Sequence, residues 1–199
     1  MKQFSIILIL LIAINFTLAD EKEQTERQIK QVKPALVVID IQNEFMPYVP
    51  EDEAKLGLEM INAAIWIFRE NGFPIVRVYH TDPKWGPAPD SEGFQFPESI
   101  QIKDDDPKIV KNYASAFQKT DLDKMLKEMD CNTLYLCGLS SVGCVLATYF
   151  GAMEREFNVV MIKDAIMSHN TRYTDVIEEA FETVSYQTLK FWMESIPKN

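Results

Sequence analysis

Three residues of this chain have the types and settings that acyl-transfer chemistry requires: Asp40, Lys111 and Cys144. Asp40 follows the apolar run Ala35-Leu36-Val37-Val38-Ile39. Lys111 closes Lys108-Ile109-Val110-Lys111. Cys144 comes after a further apolar run, Thr133 to Cys137, and the turn Gly138-Leu139-Ser140-Ser141-Val142-Gly143. A thiol needs a lowered pKa to be nucleophilic near neutral pH, and a helix N-terminus and a nearby ammonium both favour thiolate. A carboxylate can take the thiol proton and later activate water. Amide groups of the turn can hold the oxyanion of a tetrahedral intermediate. The chain has three cysteines, Cys131, Cys137 and Cys144. Cys131 and Cys137 bracket one strand and are too far apart to bridge directly. The odd number flags a reactive thiol. Spacing alone leaves open the alternative that Cys144 is buried and only packs its helix.

These residues need a scaffold that brings strand ends together. The β-branched, continuous runs at 35–40, 74–79, 108–111, 133–137 and 158–162 read as strands buried on both faces, the last ending at Asp164. A short strand is expected at 184–186. Helices are expected over 53–71, from Thr120, over 142–156, over 171–182 and over 189–195. The segment 81–107 carries five prolines with aromatic Trp85, Phe94 and Phe96, and reads as a long packed loop. Strands alternating with helices imply an α/β fold with a parallel sheet and helices on both faces. In such a sheet, ligands bind beyond the carboxyl ends of the strands, where Asp40, Lys111 and Cys144 fall.

The segment Val37-Val38-Ile39-Asp40-Ile41-Gln42-Asn43-Glu44-Phe45 resembles the opening motif of the isochorismatase-like cysteine hydrolases, relatives of nicotinamidases and N-carbamoyl amidohydrolases. Lys111-Asn112-Tyr113-Ala114-Ser115-Ala116-Phe117 is similar to that family's lysine motif. Cys137 to Val145, with Ala147-Thr148 after it, is similar to its nucleophile motif, and Val159 to Ala165 to its next strand. The resemblance runs in order from residue 34 to about 190. It implies a doubly wound, Rossmann-like sheet of about six strands and a catalytic triad of Asp40, Lys111 and Cys144. It also implies a cis peptide between Leu139 and Ser140, with the amides of Ser140 and Cys144 as the oxyanion hole. Phe45, His80, Trp85 and Phe117 are the expected substrate contacts. For each, the alternative is a residue that packs or is solvated in its loop.

Departures from the family pattern limit this reading. Nicotinamidases of the family hold a metal through an Asp-x-His pair and a further His; here the matching stretch is Val78-Tyr79-His80, with Val78 in the place of the acid. The other histidine, His169, is far along the chain. No metal or other cofactor is expected. Members that cleave the vinyl ether of isochorismate do not need the thiol, so Cys144 favours amide or carbamoyl hydrolysis. Ser140-Ser141 and Val142-Gly143 differ from the usual residues before the nucleophile, which bears on substrate identity. An ether or ester hydrolase without covalent attack, and a non-catalytic binding protein of the same fold, are the alternatives.

Residues 1–19 have the pattern of a secretory signal peptide: a basic start at Lys2, an apolar stretch from Phe4 to Phe16, and small residues at Thr17 and Ala19. That stretch is short for a membrane span of about twenty residues; an uncleaved anchor is the alternative. A charged linker or surface helix is expected over 20–33, and one hydrolase domain over 34–199. The location expected is secreted or periplasmic. The formal net charge is −10, and loss of Lys2 with the signal takes it to −11. Such a surface repels nucleic acid and anionic lipid. The expected partners are a small-molecule substrate and further copies of the chain, with no stable membrane insertion after signal removal. Phe150, Met153 and Trp192 are compatible with an oligomer interface.

Overall fold

The apolar runs form the strands of one six-stranded sheet, in the order β3-β2-β1-β4-β5-β6 and parallel throughout. They are β1 (Pro34–Ile39), β2 (Ile75–His80), β3 (Lys108–Lys111), β4 (Thr133–Leu139), β5 (Asn158–Met167) and β6 (Thr183–Val184). The computed structural model describes residues 31–84 and 86–197. The expected signal peptide, residues 20–30 of the linker, and Trp85 lie outside the described residues.

Among the described residues, five α-helices pack on the sheet: α1 (Glu51–Glu70), α2 (Leu122–Glu128), α3 (Leu146–Met153), α4 (Thr171–Ala180) and α5 (Tyr186–Ser195). Strand side chains alternate between the faces, which splits the core in two. Leu36 and Val38 join Ile61, Ile65 and Phe68 of α1 and Leu189 and Met193 of α5. Ala35, Val37 and Ile39 join Leu122 and Leu126 of α2, Tyr149 and Ala152 of α3, and Ile177 of α4. Every residue of β1 and β4 is buried, as a sheet covered on both faces requires. The doubly wound α/β reading therefore holds.

Some boundaries differ from the sequence reading. β5 runs on to Met167, past the expected end near Asp164. Its register against β4 shifts, Leu136 pairing with Met161 but Gly138 with Ile166. The bulge lets the exposed Lys163-Asp164 leave the ladder, with Asp164 at φ 62, before apolar Ala165-Ile166-Met167 re-enter it. The helix expected from residue 142 begins instead as an irregular turn over Ser141–Val145, where Gly143 departs from helical angles (φ −126, ψ −107); regular helix starts at Leu146. The last strand is only two residues long.

Loop 81–107 is packed, as its aromatics imply. Phe94 and Phe96 stack on Tyr79 of β2, with ring centroids 4.9 and 4.2 Å away. Arg69 of α1 donates to the Asp106 carboxylate at 2.7 Å and to the Gln101 carbonyl at 2.9 Å. The amides of Asn43 and Glu44 donate to the carbonyls of Gln95 and Gly93. That last pairing ties the loop to the segment carrying Phe45.

Candidate active site

The strand order reverses direction between β1 and β4, the switch point at which open α/β sheets bind ligands. Asp40 is the residue after β1, His80 ends β2, Lys111 ends β3, and Cys144 follows β4. Along the sheet's carboxyl edge they therefore stand in the order Lys111, His80, Asp40, Cys144. His80 and Lys111 are register partners. Lys111 must reach across β2 to meet Asp40, two strand spacings or about 10 Å. A long, straight side chain is what that span requires. β3 alternates exposed and buried, which turns Lys111 inward with Ile109.

Gly138 allows the two central strands to meet beside Asp40. A Cβ there would lie 2.1 Å from the carbonyl oxygen of Ile39, and its φ of +116° is one that side chains resist. Asp40 itself sits at φ 52, where the chain turns off the strand.

The Lys111 ammonium is the hub. It donates to Asp40 Oδ2 at 2.5 Å, to Cys144 Sγ at 3.2 Å and to His80 Nδ1 at 3.3 Å. An ammonium has three protons, and three acceptors use them all. His80 Nδ1 must then be bare, which places the imidazole hydrogen on Nε2. Both Lys111 and Asp40 are buried, at 1 % and 3 % exposure. Asp40 Oδ1 is buried without a hydrogen-bond partner. A ligand atom of Asp40, one of His80 and one of Cys144 lie within 4.8 Å of one another. The unpartnered oxygen is thus available to receive the thiol proton.

Gln42 fixes His80 from behind. Its side chain donates to the His80 carbonyl at 3.0 Å and accepts from the His80 amide at 2.7 Å. It is fully buried.

The electrostatics correct one expectation. Burial, then the neighbouring Asp40 carboxylate, push the Cys144 thiol up to about 12, and the Lys111 ammonium only partly opposes them. Cys144 rests as a thiol, because its position beside the carboxylate and out of water outweighs the ammonium. Burial also raises Asp40 above its ordinary value, against the opposing pull of Lys111. A carboxylate so raised is a better proton acceptor. His80 is pushed down, first by burial and then by the Lys111 charge, consistent with a neutral ring. Cys131 is pushed up to about 11 by burial, and Cys137 is pushed up as well, so neither is activated.

A cavity of about 280 Å³ opens onto this group. Asp40, His80, Ser140 and Cys144 line it together with Phe45, Tyr48, Val49, Leu139 and His169. The expected contacts Phe45 and His80 are both there, their ring centroids 6.1 Å apart. Phe117 is not among the lining residues. It is buried in the core, stacked on Phe157 and capped by Arg155, in space left free by Gly151. The chain turns away from the sheet edge after Lys111, and an apolar ring is better placed under α3 than at the pocket. His169 was passed over in the sequence because it is distant in the chain. The prolonged β5 delivers it, so both histidines of the chain line one cavity. Tyr48 and Val49 carried no signal beyond their nearness to the Asp40 motif.

Ser140 follows Leu139 through a cis peptide, as the resemblance implied. The Gly143 and Val145 amides donate to the Ser140 carbonyl at 2.9 and 3.1 Å, which closes the turn carrying Cys144. Ser140 Oγ is buried without a partner beside the cavity.

A metal ion would need several ligand atoms drawn together. Among the described residues, the one three-ligand group is Asp40, His80 and Cys144. Lys111 Nζ already stands within 3.3 Å of all three. A divalent ion there would have to displace or closely confront a buried ammonium, so these residues do not fit one.

The isochorismatase domain model matches residues 34–188. The uncharacterized isochorismatase family protein YddQ of Bacillus subtilis is 31% identical over 161 residues, which is 76% of this chain and 87% of that protein. Among solved structures, a pyrazinamidase of Pyrococcus horikoshii in complex with zinc is 26% identical, with a TM-score of 0.69 over 77% of this chain and 99% of that one. An N-carbamoylsarcosine amidase from Thermoplasma acidophilum is also 26% identical, with a TM-score of 0.66 over 77% of this chain and 95% of that one.

Proposed function

The chain belongs to the isochorismatase domain family of hydrolases, and from that premise we propose that it cleaves a C–N bond of a small amide or carbamoyl compound through Cys144. The observation that carries the reading is the Asp40–Lys111–Cys144 cluster, with an unpartnered carboxylate oxygen beside a protonated thiol. Asp40 takes the thiol proton as sulfur attacks the substrate carbonyl. Lys111 holds both partners and offsets the charge passing between them. The amides of Ser140 and Cys144 receive the oxyanion. Asp40 then returns the proton to the departing nitrogen, and an acyl-cysteine and ammonia or an amine result. Water deprotonated by Asp40 attacks the thioester and restores the thiol.

Several features support the choice of substrate class. Two solved structures it resembles are a pyrazinamidase and an N-carbamoylsarcosine amidase. The cavity has room for a molecule of that size, and Phe45 offers it an aromatic face. Export and self-association belong to the same proposal. Residues 1–19 support the first; exposed Phe150, Met153 and Trp192 support the second. Among the described residues, no helix is long and apolar enough to cross a membrane.

The test is release of ammonia or amine from a panel of small amides and N-carbamoyl compounds. Its pH profile is distinctive. Because Asp40 must be ionised and its pKa is raised, kcat/KM rises with pH through a limb above the ordinary carboxylate value of 3.8. Because the thiol is pushed to about 12, no second rise occurs at its ordinary value of 9.0. No turnover across the panel contradicts the substrate class. A rise near 9.0 contradicts proton transfer within the attack step.

A further inference from the structure

We infer that Glu53 and Thr174 are positioning residues, which hold the turn carrying Cys144 and the pocket-lining segment around His169 as one unit. The inference rests on Cys144 being the nucleophile. The residues involved are far apart in sequence: Glu53 is in the first turn of α1, Thr174 in α4, Ser141 in the nucleophile turn, and Ser168 just beyond β5. The Thr174 hydroxyl donates to Glu53 Oε1 at 2.6 Å. The same oxygen accepts the Ser168 amide at 2.9 Å. Ser141 Oγ lies 3.2 Å from Thr174 Oγ1. Thr174 has one proton and the carboxylate takes it, so Ser141 must be the donor to Thr174. That fixes the rotamer of Ser141, which is fully buried and adjoins Ser140 across the turn.

The other end of the network fixes the pocket. Ser168, also fully buried, donates through its hydroxyl to the Asn170 carbonyl at 2.7 Å and accepts the Asn170 amide at 3.2 Å. His169 is the residue closed within that small loop, and it lines the cavity. Thr174 Oγ1 also lies 3.2 Å from Ser168 Oγ, so the Glu53 carboxylate and the Thr174 hydroxyl together hold both elements of the site. Glu53 Oε2 is buried with no hydrogen-bond partner. A buried acceptor left unsatisfied has a real cost, and a neutral side chain would have avoided it. The acid makes stronger, shorter hydrogen bonds than an amide would, and here they converge on catalytic geometry. Errors of about 1 Å at a reacting atom cost roughly a hundredfold in rate.

The test reads the thiol directly, without a substrate. Iodoacetamide labelling at Cys144 is followed by mass spectrometry in wild type, Thr174→Val, Thr174→Ser and Glu53→Ala, well below each melting temperature. Thr174→Val keeps the shape and removes the hydroxyl, and it slows labelling roughly tenfold or more. Thr174→Ser restores the wild-type rate. Where a turned-over amide is available, Thr174→Val lowers kcat with little change in KM, whereas Glu53→Ala changes both. Folded Thr174→Val with wild-type labelling, even at a lower melting temperature, overturns the inference and leaves the pair a purely structural role. Should Glu53→Ala not fold, the Thr174 pair decides. Failure of the amide panel leaves the labelling result intact, so the two readings fail separately.

Discussion

Replacing Cys144 by alanine lowers turnover at least about 10⁴-fold, with the fold and its stability close to wild type. The loss is total in kind, because the covalent route disappears and Asp40 has no thiol to deprotonate. The fold survives because alanine removes only one of the three acceptors of Lys111, leaving Asp40 and His80 in place. The control is Cys131→Ala combined with Cys137→Ala. These cysteines flank or lie within β4, have thiols pushed up by burial, and do not line the cavity, so the double variant keeps its activity. Steady-state ammonia release and thermal melts of the purified variants check both. An alanine variant with more than about a hundredth of wild-type kcat/KM is incompatible with sulfur as the nucleophile.

The second large effect concerns the ion pair beneath that thiol. Lys111→Met leaves the Asp40 carboxylate buried without its countercharge, and Asp40→Asn leaves the ammonium in the same condition. Each single change costs about 3–5 kcal/mol of stability, the penalty of stranding a charge out of water. The double variant Asp40→Asn/Lys111→Met removes both charges together and recovers much of that loss. Its activity stays absent, since no base and no cation remain. Urea unfolding of the four proteins gives the coupling energy, and turnover of the panel substrate gives the rest. Additive losses show that the two charges are independent and contradict a shared site. Activity in Asp40→Asn contradicts its role as base.

The sequence made the scaffold legible because its strands are continuous apolar runs that must be covered on both faces. Asp40, Lys111 and Cys144 could be picked out because each closes or follows such a run, and a parallel sheet brings those ends to one edge. What the sequence could not reveal depends on distances between segments. His169 looked remote until the bulge at Lys163-Asp164 let β5 run on to Met167. Phe117 looked like a pocket residue because it shares a motif with Lys111; the space beside Gly151 determined its packing instead. The state of the thiol is hidden from the sequence for a related reason. An ammonium and a helix N-terminus are visible in the sequence, whereas burial and the approach of Asp40 are not, and these dominate. In the proposed mechanism the carboxylate helps by accepting the proton rather than by favouring thiolate at rest. The Glu53–Thr174–Ser141 connection has no motif at all, since Ser and Thr in helices and turns carry no signal of their own.

The central claim is covalent catalysis by Cys144 with Asp40 as base. Intact-mass spectrometry of the enzyme, acid-quenched during turnover of an amide from the panel, tests it most directly. The account predicts a mass increase equal to the acyl part of the substrate, mapped by peptide analysis to Cys144, formed as the amine is released and cleared on further incubation. Steady turnover with no adduct on Cys144 at any quench time, together with undiminished turnover in Cys144→Ala, would contradict it.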